Sequence, residues 1–453
     1  MDFQLHVDHN KFLPEGGQTI DAVVSVSAAG GRRGPAPTAA EVIMVDCSGS
    51  MEGEKIIEAK RATGQAIDLL RDEVAFAVVA GTTGARMVYP RNEAMMAASP
   101  ATRAEARAAV RRLQADGGTA IGTWLDLANS LFRAQHADIK HAILLTDGHN
   151  VHQSHEELLA TLERCRGTFV CESRGVGDGW SAEPLNAVAD VLLGTADGLP
   201  DARTLAADFQ SMIESVMGKT TANVALRLWL PRGARVRFVK QVFPDILPLT
   251  GNGTAVSERI TDYPTGSWGV ETRDYHLSIE LPAGRQLTDE MLAAHVRVVV
   301  DDQDVAEGLI PAEWTADAVL SSVMNQRVAH YTGQQELNTV TQEGLAALAA
   351  GRDDEATAKL GRAAQLARES GHEDTLRVLK RVVTVIDAPT AQVRLRRDMA
   401  AVDAEMAAVK SRKTVQWRRN ATGERESETY DTAQGNTDMD ENAVEGENGD
   451  SVS

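Results

Sequence analysis

The 453-residue chain has few aromatic residues and few cysteines. Aromatic side chains make up only 4 % of the sequence, so smaller aliphatic residues must fill most of the core. The three cysteines, Cys47, Cys165 and Cys171, do not form an even set and lack the spacing of metal ligands. This usage favours a reducing compartment over a secreted, disulfide-bonded fold.

Excess positive charge and long apolar segments are also missing. The formal net charge is -19 at pH 7, which argues against nucleic acid as the main partner because phosphate binding needs a basic face. No apolar run approaches the ~18 residues of a membrane-spanning helix. The first residues show neither the basic nor the apolar region of a signal peptide. We therefore expect a cytoplasmic protein without a membrane span.

The most informative stretch is residues 41–51, in which the apolar run Val42–Val45 leads into Asp46-Cys-Ser48-Gly-Ser50. The run predicts a buried strand, and the residues that follow predict a helix. Alternation in an extended segment places the side chains of Asp46, Ser48 and Ser50 on one side. One carboxylate and two hydroxyls are oxygen ligands of the kind that Mg²⁺ prefers.

Two more segments extend this pattern. Thr119 follows two glycines and opens a helical stretch, and a second apolar strand over residues 141–146 leads into Asp147-Gly148. In open α/β sheets, ligands bind beyond the carboxyl ends of the strands, where the strand order reverses. If the strands that end near Asp46 and Asp147 flank that point, both carboxylates face one crevice.

The order Asp46-x-Ser48-x-Ser50, then Thr119, then Asp147 resembles the metal-ion-dependent adhesion site of von Willebrand factor type A (VWA) domains, without departure at the five positions. The resemblance implies that the serines and the threonine contact a divalent cation, whereas the aspartates often act through water. It implies Mg²⁺ as the ion, with Mn²⁺ or Ca²⁺ as alternatives. It also implies a protein partner that presents an Asp or Glu to the metal, and binding rather than catalysis.

Strands and helices alternate over residues 40–219, which predicts a doubly wound, mostly parallel α/β sheet; the VWA resemblance covers this span. Residues 221–310 carry short alternating strands between turns, which predicts an antiparallel β-sandwich. This segment offers about five of the roughly seven strands that a sandwich needs. One hypothesis is that strands within residues 1–31 complete it, so that the VWA domain is an insertion. Residues 315–413 predict an α-helical bundle, with a single tetratricopeptide-like hairpin as the alternative.

The segment from 420 to 453 contains ten acidic residues and one arginine, with little apolar content. Such a composition cannot bury enough surface to fold, so it predicts a disordered acidic tail. Thr437 and Asp440 match a phosphothreonine-x-x-Asp pattern of the type that forkhead-associated domains bind. A plain solubilising tail is the alternative.

Two other signals are weaker. His149, His152 and His155 follow Asp147, but a zinc site would need them to converge with a further ligand, and the polar sequence favours a solvated loop. Gly218-Lys-Thr imitates the end of a phosphate-binding loop, yet isoleucine stands at position 213, where that motif needs its first glycine.

These patterns favour metal-dependent protein binding by an intracellular adaptor that is not an enzyme. The alternative is an assembly scaffold or an accessory subunit, for example to an AAA+ ATPase or a phosphorylation-signalling system, with the VWA domain mainly structural. The high use of alanine, arginine and glycine resembles bacterial proteins, in particular cytosolic proteins of actinobacteria.

Overall fold

The computed structural model describes residues 1–30, 37–283, 287–387 and 389–417. The strands in these ranges are β1 (Asp2–His9), β2 (Phe12–Pro14), β3 (Thr19–Ala29), β4 (Ala39–Asp46), β5 (Ala75–Gly81), β6 (Ala85–Tyr89), β7 (Met96–Ala97), β8 (Ile139–Thr146), β9 (Val170–Val176), β10 (Ala196–Leu199), β11 (Thr221–Trp229), β12 (Arg235–Phe243), β13 (Leu247–Pro248), β14 (Thr254–Ser257), β15 (Ile260–Trp268), β16 (Glu271–Glu280), β17 (Glu290–Val300), β18 (Gln303–Thr315), β19 (Val383–Asp387) and β20 (Gln392–Leu395). The helices are α1 (Glu54–Leu69), α2 (Pro100–Val110), α3 (Ile121–Ala134), α4 (His155–Cys165), α5 (Ala182–Leu192), α6 (Leu205–Met217), α7 (Ala318–Ser322), α8 (Gln326–Ala349), α9 (Asp353–Glu369), α10 (Glu373–Val382) and α11 (Ala401–Lys410).

Strand β4 is a central strand of a seven-stranded sheet with the order β10-β9-β8-β4-β5-β6, and β7 also pairs with β5. The pairs along β10-β9-β8-β4-β5 are parallel, and β6 and β7 run antiparallel to β5. Val42 and Met44 pack towards α3, α4 and α5, whereas Ile43 and Val45 pack towards α1, α2 and α6. Helices cover both faces, which explains why β4 is a continuous apolar run. The predicted doubly wound α/β sheet is confirmed.

The strand order reverses between β4 and β8. From β4 the chain passes through α1 to β5 on one side, and β8 pairs with β4 on the other side. The carboxyl ends of β4 and β8 therefore open into the same crevice, with Asp46 on one wall and Asp147 on the other.

Two further sheets, β1-β3-β16-β12-β13 and β14-β15-β11-β17-β18-β2, are antiparallel apart from the short β2–β18 pair. Their inner faces share one hydrophobic core, which contains Val26, Leu277, Val296 and Trp314. Strand β3 pairs with β16 along ten residues, from Thr19 to Ala28. The chain therefore leaves this pair of sheets after β3, forms the α/β unit, and returns to them at β11.

The C-terminal helices pack on the α/β unit, because Leu360, Leu379 and Met406 share a core with Leu185 of α5. The helical prediction for residues 315–413 is wrong in part, because β19 and β20 form an antiparallel hairpin between α10 and α11. The β-branched run Val383-Thr-Val-Ile alternates between buried and outward-facing positions in β19.

The apolar run at residues 191–193 does not form the last strand of the parallel sheet. Val191 and Leu192 end the amphipathic helix α5, and Leu193 caps it in the left-handed region with φ 57°. The strand forms later, at Ala196–Leu199. Within the described ranges, no helix is both long and apolar enough to cross a membrane. Thr437, Asp440 and the predicted disordered tail lie outside the described residues.

Candidate metal centre

The turn after β4 is held against the loop before α3 by backbone hydrogen bonds. The Gly49 N–H donates to the Gly117 carbonyl at 2.9 Å, and the Asp116 N–H donates to the Cys47 carbonyl at 2.7 Å. Gly117 has φ 88°, a conformation that glycine adopts readily. These contacts bring the segment that carries Thr119 to the end of β4, although more than sixty residues separate them in sequence.

Four of the five predicted side chains meet in the crevice. The hydroxyls of Ser48 and Ser50 lie 3.0 Å apart, and Ser50 Oγ donates to Asp147 Oδ1 at 2.7 Å. A Cβ atom built on Gly148 would lie 3.2 Å from Thr119 Oγ1 and 3.3 Å from Ser50 Oγ, so the two hydroxyls flank the same glycine. Ser50 is exposed, so the group is open to solvent on its side.

The fifth predicted residue, Asp46, lies behind the serines and is fully buried. Its Oδ1 accepts the Ser48 N–H at 2.7 Å, and its Oδ2 accepts the Thr146 hydroxyl at 2.5 Å. Burial raises the pKa of the Asp46 carboxyl, and the hydrogen bonds from Ser48 and Thr146 oppose that shift. Asp46 thus connects the turn after β4 to the end of β8 through these two hydrogen bonds and holds the serines in position.

Lys55 is a member of the site that the sequence analysis missed. Its Nζ lies 2.6 Å from Asp147 Oδ2 and 3.8 Å from Asp178 Oδ1. Asp147 therefore accepts from Ser50 with one oxygen and from Lys55 with the other. A lysine nine residues after Asp46 carries no signal by itself, because its meeting with Asp147 depends on the direction of α1.

The loop after Asp147 is exposed at His149, His152 and His155, as its polar sequence predicts. It also caps α3, whose own N-cap residue makes no side-chain hydrogen bond. Asn150 Oδ1 accepts the Ile121 N–H at 2.9 Å, His152 Nδ1 accepts the Thr119 N–H at 3.2 Å, and Gln153 Oε1 accepts the Gly122 N–H at 2.8 Å. The first N–H groups of a helix lack intrahelical partners, so these bonds fix the start of α3 and, with it, Thr119.

The donor atoms in the crevice are suited to a hard divalent cation. Three hydroxyls and two carboxylates supply oxygen atoms only, with two formal negative charges among five side chains. Cys47 packs in the core on the α1 side of the sheet, and burial raises the pKa of its thiol to about 11. Among the described residues, no group of three or more His, Cys, Asp or Glu could hold a metal, so a zinc-type site of those residues is not found there. The residues present fit Mg²⁺ better than a softer ion.

A mostly parallel α/β sheet with an oxygen-rich crevice at its switch point is the architecture of a VWA domain. Residues 40–197 match the von Willebrand factor type A domain family, and residues 365–407 match the von Willebrand factor type A C-terminal domain family. The solved structure of a von Willebrand factor type A protein from Catenulispora acidiphila is 45 % identical, with a TM-score of 0.86 over 92 % of this chain and 97 % of that chain. The chain belongs to the von Willebrand factor type A family, and the predicted VWA domain is confirmed.

More distant proteins share parts of this architecture. The ArnB paralog VWA2 from Sulfolobus acidocaldarius has a TM-score of 0.56 at 13 % identity, covering 91 % of this chain and 98 % of that chain, which shows a common fold only. The Synechocystis protein sll0103 is 28 % identical over 252 residues, which are 53 % of this chain and 57 % of that protein. The chain thus spans somewhat more than half the length of this relative. VWA domains commonly mediate protein–protein interactions.

Proposed function

We propose that the chain is an intracellular adaptor that binds a protein partner through a divalent cation held in the VWA crevice. Ser48, Ser50 and Thr119 would hold the ion, Mg²⁺ before Mn²⁺ or Ca²⁺, with Asp46 and Asp147 behind them. When bound, the ion offers an electrophilic position to a carboxylate oxygen from an Asp or Glu of the partner. The hydroxyls of Ser50 and Thr119 meet beside Gly148, Ser50 also contacts Ser48 and Asp147, and Ser50 is open to solvent; this convergence carries the proposal.

The hydrogen bonding of the two carboxylates supports binding rather than catalysis. Both oxygens of Asp46 accept protein hydrogen bonds, and both oxygens of Asp147 are held by Ser50 and Lys55. A general base must have an oxygen that reaches the proton to be removed. Carboxylates that are held in this way favour a role in shaping a cation site over proton exchange with a substrate.

The test is capture of partners from a lysate of the native cell by the immobilised full chain. We expect a set of proteins that is retained in Mg²⁺, released by EDTA, and recovered when excess Mg²⁺ is restored. A chain carrying Ser48→Ala and Ser50→Ala should retain none of that set in Mg²⁺. Binding that persists equally in EDTA contradicts the proposal.

A second candidate, an assembly scaffold with a structural VWA domain, has a separate observation in its favour. Residues of α11 and the segment after it join the α/β unit to the sandwich: Lys410 lies 2.8 Å from Asp197, Lys413 lies 2.8 Å from Asp245, and Arg412 pairs with Asp190. Such a junction suits a rigid platform. The variant with alanine at Ser48 and Ser50 separates the two candidates, because a scaffold's interactions should survive it.

A further inference from the structure

The position of Lys55 in α1 is not explained by helix stability. It is the second residue of α1, and a cation in the first turn opposes the helix dipole. Its side chain passes over Gly177, where an added Cβ would lie 2.8 Å from Lys55 Cε and 3.4 Å from Nζ. The backbone of the loop after β9 therefore leaves room for this lysine beside the crevice.

The ammonium of Lys55 lies between a buried acceptor and solvent. The Asp147 side chain is 0 % exposed, whereas the side chain of Lys55 is 25 % exposed and that of Asp178 is 84 % exposed. An ammonium has three N–H donors, and Asp147 Oδ2 takes one of them at 2.6 Å. The 3.8 Å separation from Asp178 Oδ1 is too long for a hydrogen bond. Donors on the solvent side remain for a ligand.

Lys55 also changes the charge of the crevice. Asp46 and Asp147 supply two negative charges, and Lys55 offsets one of them. A divalent cation would bring the group from one net negative charge to one net positive charge. The crevice should therefore hold the cation alone less tightly than a lysine-free crevice would, and should favour an anion once the cation is bound.

We propose that Lys55 is a second recognition group for the partner's carboxylate, which places one oxygen on the cation and the other on the Lys55 ammonium. In this arrangement the cation and the carboxylate bind cooperatively, and neither binds tightly alone. The inference rests on the proposed metal-dependent function and adds Lys55 as the group that binds the second oxygen of the partner's carboxylate.

The experiment uses the full chain, with Mn²⁺ as the cation and acetate as the carboxylate. Free Mn²⁺ is followed by electron paramagnetic resonance, and the weak binding of Mn²⁺ by acetate is subtracted from a protein-free titration. We expect acetate to raise the Mn²⁺ affinity of the wild type about fivefold or more. Lys55→Gln should bind Mn²⁺ alone about tenfold more tightly and lose the acetate effect. Lys55→Arg keeps the charge and should keep the weaker Mn²⁺ affinity.

Lys60→Gln is the matched control, since it removes the same charge from the same helix without touching Asp147, and it should behave as the wild type. Thermal unfolding without metal checks that each variant is folded. If Lys55→Gln and the wild type share the same Mn²⁺ affinity and the same acetate response, the role of Lys55 is refuted while the metal site stands. If Lys55→Gln keeps the full acetate effect, recognition by the ammonium is refuted. A wild type that binds no Mn²⁺ refutes the proposed function as well.

Discussion

The two ends of β4 both carry a buried carboxylate, yet they are built differently. At the carboxyl end, Asp46 accepts from a backbone N–H and a hydroxyl. The hydroxyls of Ser48, Ser50 and Thr119 lie nearby, and the one charged donor described there is Lys55 on Asp147. At the amino end, Glu41 is fully buried and pairs with His141 of β8, whose Nδ1 lies 2.9 Å and 3.0 Å from the two carboxylate oxygens.

Around Glu41 the chain supplies its own cations. Arg174 of β9 pairs with Asp208 at 2.8 Å and approaches Glu172 at 3.4 Å. Lys219 pairs with Glu271 at 2.8 Å. These residues and His141 line a cavity of about 300 Å³. The amino end therefore neutralises its carboxylates internally, whereas the carboxyl end leaves hydroxyls and net negative charge for a cation from outside. Buried charge marks both ends, but only the carboxyl end, where a single lysine faces two carboxylates and the other side-chain donors are hydroxyls, is suited to a metal.

The largest effect on stability should come from removing one partner of the Glu41–His141 pair at the amino end of β4. His141→Leu leaves the Glu41 carboxylate buried without its partner, which should cost about 3–5 kcal/mol of the free energy of unfolding. Denaturant unfolding measures this, and Mn²⁺ affinity at the other end of the strand should not change. The double variant Glu41→Leu with His141→Leu should recover much of the loss. A loss no larger than that of the exposed control His155→Leu would show that the pair is not integral to the fold.

The next effect concerns the end suited to a cation. Thr119→Ala removes one hydroxyl donor and should weaken Mn²⁺ binding by at least about tenfold, a change similar to the loss of a supporting residue at a metal site. Stability without metal should fall by only about 1–2 kcal/mol, because Thr119 is buried and loses one methyl and one hydroxyl. Ser130→Ala, which removes a hydroxyl on the exposed side of α3, is the control for Mn²⁺ titration. Unchanged Mn²⁺ affinity in Thr119→Ala would remove this residue from the site.

The loop after Asp147 supports Thr119, and substitutions in this loop should have a smaller effect on Mn²⁺ affinity than Thr119→Ala. Asn150→Ala removes the acceptor for the Ile121 N–H and should cost about 1 kcal/mol of stability, as loss of a helix cap does. A few-fold weaker Mn²⁺ affinity should accompany it, because the start of α3 positions Thr119. Val151→Ala is the adjacent control, since this side chain is 71 % exposed and should be neutral in both measurements. Equal effects of the two substitutions would argue against the cap.

The smallest effect is a pH dependence that belongs to the amino end. Burial lowers the pKa of His141, but the charge and hydrogen bond of Glu41 outweigh it, and the net pKa is above the ordinary value of 6.5. Burial also raises the pKa of Glu41 above 4.5. A group whose pKa is higher in the folded chain than in the unfolded chain stabilises the fold when it is protonated. For His141 this stabilisation is fully present below its unfolded pKa, and it is lost as the pH rises through its folded pKa.

Thermal unfolding midpoints should therefore fall from pH 6.5 upwards more steeply in the wild type than in the double variant with leucine at Glu41 and His141. Parallel profiles for the two proteins would contradict the assigned protonation of this pair. The comparison isolates the pair, because the remaining titratable groups are common to both proteins.

Much of the fold and the predicted site followed from contiguous patterns. Val42–Val45 is apolar throughout because both faces of β4 are covered, and Asp46, Ser48 and Ser50 lie on a single turn. Thr119 and Asp147 were found because each follows a local signal, a pair of glycines or a buried strand. The structure brings these side chains together, and their role as cation ligands remains a prediction.

Other features depend on contacts between distant segments and had no local signal. Lys55 lies in the crevice only because the direction of α1 places its side chain beside Asp147. The hydrogen bonds that cap α3 come from a loop about thirty residues further along the chain. The hairpin of β19 and β20 begins directly after α10, so its first strand was taken as a continuation of the helix. The match of residues 365–407 to a C-terminal domain of the family was likewise not indicated by the helical pattern.

Calorimetric titration of Mg²⁺ and Mn²⁺ into the metal-free full chain tests the central claim most directly, with the variant carrying alanine at Ser48 and Ser50 in parallel. We predict one saturable site per chain in the wild type and none in the variant, with both proteins folded. Equal binding by the two proteins, or no binding by a folded wild type, would contradict it.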